Sequence, residues 1–127
     1  MKLRCTTDSI RIRIRKSELA QLAREGMIEE QVRLGGGLAL RFCLVINHDA
    51  EVVGASMDDH LLIVALPKGL SKQWIGSNEV SIEAYQAIDD TDRLHILIEK
   101  DFPCQDRASE DKSDTFWELV PEEPDAC

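Results

Sequence analysis

Only six of the 127 residues are aromatic and only four are cysteine. Cys5, Cys43, Cys104 and Cys127 form no Cys-x-x-Cys pair, which excludes a zinc ribbon or a thioredoxin-type motif. No apolar run approaches the roughly 20 residues that a membrane-spanning helix needs, so no membrane partner is expected. Met1 to Ile10 holds no apolar signal-type core. A secretory signal is therefore not expected, and the thiols should stay reduced in a cytoplasmic protein. Phosphate-cradling loops are missing too. Gly35-Gly36-Gly37 joins two strand-like segments rather than a strand and a helix, so it has no helix N-terminus to offer an anion. Positive charge is scarce overall. A net charge of −9 makes the chain a poor ligand for nucleic acid, whose phosphates need a basic face.

What is present is the composition of one ordinary globular domain, 43% hydrophobic and 31% charged. The charge is segregated. Residues 1–41 carry a balance of +4, residues 42–98 of −6 and residues 99–127 of −7. Any anion-binding face should therefore come from the first third.

Ile10-Arg11-Ile12-Arg13-Ile14-Arg15 alternates strictly, the period of a half-buried strand with the isoleucines inward. A helix follows, with Ser17 as N-cap, Leu19, Leu22 and Ala23 on one face, and Gly26 as a left-handed stop. Ile28, Glu30, Val32 and Leu34 resume the alternation, and Leu38 to Ile46 forms the next strand. The second half repeats this grammar. Leu62, Val64 and Leu66 alternate, and Pro67 opens a helix in which Leu70 and Trp74 share a face. Gly76 ends it, and two strands follow, around Val80–Ala84 and Leu94–Ile98.

A shift of 52 residues lays Ile10 on Leu62, Ile12 on Val64, Ile14 on Leu66, Leu22 on Trp74 and Ile28 on Val80. Two extra residues in the 86–92 turn then bring Leu40 to Leu94. The expected fold is α+β, a tandem ββαββ duplication. It has about eight mainly antiparallel strands, closed as a small barrel or stacked as two packed sheets, and two short helices. One half has about 50 residues, too few for a core of its own. The expected organisation is a single domain, 1–104, made of pseudo-repeats 1–50 and 51–104. An irregular acidic tail, 105–127, should be partly disordered or folded back on the sheet.

The opening Met1-Lys2-Leu3-Arg4 followed by Asp8-Ser9-Ile10-Arg11-Ile12-Arg13 resembles a small bacterial domain family to which no activity is assigned. Leu66-Pro67 before the Trp-containing helix carries the same resemblance. So does the ending Glu99-Lys100-Asp101-Phe102-x-Cys104, with Arg107, Glu110-Asp111 and Asp114 beyond it. The resemblance covers nearly the whole chain and implies a single-domain bacterial protein. It transfers no catalytic residue. Where that family has Asn-Pro after its final Phe, this chain has Phe116-Trp117-Glu118.

Three groups of residues are candidates for a site. Alternation puts Arg11, Arg13 and Arg15 on one strand face, where paired guanidinium donors would grip an anion. Pairing with Glu29, Glu30 and the acidic second half would use the same charges structurally. His95, Glu99 and Asp101 share a strand parity, with Cys104 just beyond. These are ligand types for zinc or iron, although alternate residues of one strand lie about 7 Å apart and the tail would have to fold back. Cys104 with His95 as its base would make a thiol site. Phe102, Phe116 and Trp117 hold half of the aromatics in or beside the acidic tail, as a docking element for a protein partner would. Trp74 reads as a core anchor, and His48 and His60 as neighbours of turns. The reading that follows is a non-enzymatic cytosolic binding or accessory protein acting on a protein partner or as a homo-oligomer. The alternative is a metal-binding or thiol-dependent protein built on Cys104, His95 and the tail carboxylates.

Overall fold

The computed structural model describes residues 1–102 and residue 119. The order of elements is β1 (Lys2–Cys5), β2 (Ser9–Ile14), α1 (Lys16–Glu25), β3 (Met27–Gly35), β4 (Leu38–Asn47), β5 (Gly54–Asp58), β6 (Leu61–Pro67), α2 (Lys68–Ile75), β7 (Ser81–Ala87) and β8 (Arg93–Lys100). The class is α+β. The strands form two four-stranded sheets, with orders β1-β2-β8-β7 (sheet A) and β3-β4-β6-β5 (sheet B). Of the two closures expected, the closed barrel does not form. Among the described residues both sheets keep open edges, because each half of the chain sends its strands to both sheets instead of curling one sheet on itself.

Each sheet is mixed. Its outer pairs are antiparallel hairpins, while its central pair is parallel, β2 with β8 and β4 with β6. The alternation accounts for the faces. Ile10, Ile12 and Ile14 of β2 and Ile96 and Ile98 of β8 turn inward. They join Ile28, Leu44, Val64 and Leu66 of sheet B in one core with Leu22 of α1 and Trp74 of α2. Each such side chain contributes about 1.5–3 kcal/mol when fully buried.

The helices differ in detail from their expected positions. Ser17 lies inside α1, whose N-cap is Arg15. The Glu18 carboxylate, not a serine hydroxyl, accepts the free Arg15 N–H at 2.8 Å. Gly26 closes the helix at φ 78°, the left-handed geometry that suits glycine. Ala23 and Leu70 are exposed, so the helical faces that reach the core are narrower than expected. In α2 the buried pair is Ser71 and Trp74. Trp74 donates its indole N–H to the Val80 carbonyl at 3.2 Å. Lys100, at the end of β8, donates to the Trp74 and Ser77 carbonyls, each at 2.8 Å, and satisfies the C-terminal end of α2. Val80 lies outside β7 and is exposed.

Glu18 also receives a bond from the α-ammonium group of Met1, which donates to Glu30 at 2.6 Å as well. Burial alone would raise the Glu18 pKa, but the ammonium and the Arg15 N–H outweigh it. The carboxyl sits at about 2 instead of 4.5. Burial likewise opposes the ammonium charge, and the two carboxylates outweigh it, raising its pKa above 8.0.

Glu18→Gln is expected to lower stability by about 2 kcal/mol, read from urea unfolding midpoints. The carboxylate, with its depressed pKa, contributes fully above pH 4.5, and this contribution drains as pH falls toward 2. The ammonium, with its raised pKa, contributes fully below pH 8.0 and loses this as pH rises through its folded value. The substitution should flatten both limbs of the stability–pH curve.

Candidate functional site

The isoleucines occupy the inner face of sheet A, so every other residue of β2 and β8 is delivered to the outer face. The strand register aligns these residues in rows. Arg4, Arg11, Leu97 and Glu83 form one row, and Lys2, Arg13, Glu99 and Ser81 the next. Ser9, His95 and Tyr85 form a third. The candidate site is this face.

Its centre is Glu99, whose side chain is 9% exposed. Oε1 of Glu99 accepts a hydrogen bond from Nε of Arg11 and lies 3.6 Å from Nε of Arg13. One buried carboxylate therefore serves two guanidinium groups. The second is too distant for a hydrogen bond, and Nε of Arg13 is buried with no acceptor among the described residues. The Arg13 guanidinium lies over the Phe102 ring at 5.6 Å from its centroid, so the chain leaving β8 turns across this face. Lys2 meets Asp101 at 3.5 Å.

At the other end of β8, Nε2 of His95 is 2.9 Å from Glu83, and the imidazole stacks on Tyr85 with centroids 4.9 Å apart. The Tyr85 hydroxyl donates to the same Glu83 oxygen at 2.9 Å. That hydrogen bond, together with the negative charge, raises the phenol pKa. An open hollow of about 650 Å³ adjoins the group, lined by Asp8, Ser9, Tyr85, Asp92, Arg93 and His95. Ser9 stands beside His95 in register, but its hydroxyl is bonded to Thr6 at 2.5 Å. A hydroxyl nucleophile with an imidazole base is therefore not assembled.

The arginine stripe is shorter than expected. Arg11 and Arg13 face the site, whereas Arg15 leaves the strand at the helix start and meets Glu18 at 3.4 Å. Arg41 lies in sheet B, paired with Glu29 at 3.2 Å. His95, Glu99 and Asp101 are separated by their partners: His95 serves Glu83, Glu99 serves the arginines and Asp101 serves Lys2. No group of three metal-ligating side chains forms among the described residues. Cys104, Phe116, Trp117 and the carboxylates of 105–127 lie outside the described residues. Sequence reasoning missed Lys2, Arg4, Glu83 and Tyr85, which come from the edge strands. Their parity was readable, but not the strand order that sets them beside Arg11 and His95. Cys43 is buried on β4, where burial and the nearby Glu29 raise its thiol pKa above 9.0, as suits a packing thiol rather than a nucleophile.

The chain belongs to a family of unknown function, DUF7009, whose family model matches residues 1–119. No curated protein and no solved structure matches it. No helix among the described residues is long and apolar enough to cross a membrane.

Glu99→Ala would leave Arg11 and Arg13 facing each other without their shared counter-charge. It is expected to cost about 3 kcal/mol in thermal unfolding measurements. Adding Arg13→Met should recover part of the loss, because the pair is then no longer two cations without an anion.

Proposed function

We propose that the protein is a non-enzymatic binding module that holds an acidic segment of a partner protein on the outer face of sheet A. The observation that carries this reading is the sharing of Glu99 by Arg11 and Arg13, with Nε of Arg13 buried and lacking an acceptor among the described residues. That nitrogen is closed to solvent, so an incoming carboxylate would meet the exposed parts of the Arg13 and Arg11 side chains, 14% and 25% exposed, which share a single carboxylate. Lys2, Arg11 and Arg13 stand in two adjacent rows with the carboxylates Glu83 and Glu99, and Asp101 lies beyond the strand. Glu83 is engaged by His95 and Tyr85, so the two guanidinium groups are left to share Glu99. The Phe102 ring over Arg13 adds an apolar platform for an aromatic or aliphatic side chain beside the acid.

We infer too that the scaffold is a tandem duplication. Lys2 pairs with Arg13 as Gly54 pairs with Ala65, an offset of 52 residues on both strands. Ile28 pairs with Leu44 as Ile82 pairs with Ile98, an offset of 54. The central pairs Ile10 with Ile96 and Leu62 with Phe42 obey the same two offsets. The two extra residues therefore fall between α2 and β7 and not in the 86–92 turn, and Ile28 corresponds to Ile82 instead of Val80.

Fluorescence anisotropy with a labelled peptide of alternating Glu and Phe tests the binding face. Saturable binding is expected, weakened at least tenfold in Arg11→Gln/Arg13→Gln, with circular dichroism showing that the variant is folded. Equal affinity in the two proteins, or no binding by either, would overturn the proposal. A zinc or iron ion retained by protein purified without chelator, and lost in His95→Ala, would replace it with the metal reading.

A further inference from the structure

A second hollow, of about 570 Å³, runs between the C-terminal end of α1 and the outward face of α2. Lys68, Lys72 and Ile75 stand at helical spacing along its α2 wall, and Ala23 and Arg24 form the wall opposite. Ile46, at the end of β4, contributes to an apolar lining with Ala23 and Ile75. Gly26 and Gly76 leave the ends of the hollow free of side chains, and a Cβ at Gly26 would meet nothing within 4 Å.

The charges around this hollow are unbalanced. Glu25 is the one carboxylate among its described lining residues, and Arg24 meets it at 3.9 Å. Lys68 and Lys72 make no ion pair among the described residues, although the chain as a whole is at −9. An acidic protein thus places two lysines, without counter-ions among the described residues, one helical turn apart over an apolar floor. A neutral ligand would leave those charges unused, and a bare anion would leave the floor in contact with water. The volume lies within the roughly 300–1,000 Å³ usual for small-molecule sites and suits a compact molecule.

From this juxtaposition of Lys68 and Lys72 with the apolar lining of Ala23, Ile46 and Ile75, we propose that the hollow between the helices binds a small amphipathic anion. A phosphate or carboxylate head would lie on the lysines, and a short hydrocarbon body would lie on the floor. The site shares no residue with the outer face of sheet A and does not depend on the reading given to that face.

Titration of the 15N-labelled full chain with octyl phosphate below its micelle concentration tests the assignment. Saturable amide shifts are expected at 23–26, 46 and 68–76. Octanol alone and inorganic phosphate alone should each bind at least tenfold more weakly. Lys68→Glu/Lys72→Glu should lose at least tenfold in affinity with its spectrum otherwise folded, and Arg11→Gln/Arg13→Gln should bind like the parent protein. The assignment is overturned by octanol or inorganic phosphate binding as tightly as octyl phosphate. It is equally overturned by undiminished affinity in the lysine variant, or by the absence of saturable shifts at millimolar ligand.

Discussion

Everything in this fold depends on two parallel strand pairings between distant parts of the chain. β2 lies beside β8, and β4 lies beside β6. Neither half of the chain contains a complete sheet. Each contributes one hairpin to sheet A and one to sheet B, and the central parallel pair joins them. A half on its own would expose the edges of its inner strands and a set of isoleucines with nothing to pack on. The contacts between β2 and β8 span most of the described chain, so their loop-closure cost falls early in folding while their burial is gained late.

The same pairing creates the outer face of sheet A. Arg13 and Glu99 are neighbours only because β8 lies parallel to β2, in the register that sets Ile12 beside Ile98. Shifting that register by one residue would turn the isoleucines outward and bury the arginines, a change the core forbids. The charged rows are thus held in place by the apolar rows behind them. Lys100, the next residue after Glu99, reaches Trp74 and Ser77 and ties α2 to the same strand end. One segment, Glu99 to Phe102, therefore supplies the shared carboxylate, the helix C-terminal tie and the aromatic ring over Arg13.

Much of this was legible in the chain. Strict alternation at Ile10–Ile14 and Leu62–Leu66 identifies strands and their inner faces, because period two has few other physical meanings. Gly26 and Gly76 mark helix ends. Pairing partners were not legible, because alternation states which face is apolar but not which strand lies beside it. The placement of Arg15 followed from helix initiation, since its backbone is already the cap of α1 and its side chain turns to Glu18. Val32, Leu34, Leu38 and Leu40 show another limit of the pattern. They continue the apolar parity of β3 and β4 yet remain exposed, because the pairing of β4 with β6 begins only at Arg41 and Leu61. The hairpin runs past the sheet that would bury it. His95, Glu99 and Asp101 share a parity in the chain, but each has its own partner in the structure, Glu83, Arg11 and Lys2.

Segregation of charge also shapes how such a module would recognise an acidic partner. At physiological ionic strength the Debye length is about 8 Å, comparable to the spacing of neighbouring rows on a sheet. Beyond that distance an approaching acid meets a molecule of net charge −9, and long-range steering is unfavourable. Within it, the acid meets Arg11, Arg13 and Lys2, three cations that face two carboxylates, Glu99 and Asp101. Salt weakens both the distant repulsion and the local attraction. The two changes oppose each other, so affinity should depend on ionic strength less steeply than for a basic protein with the same contacts. Specificity would then come from the geometry around Arg13, where one buried nitrogen lacks an acceptor among the described residues, and not from the overall field of the protein.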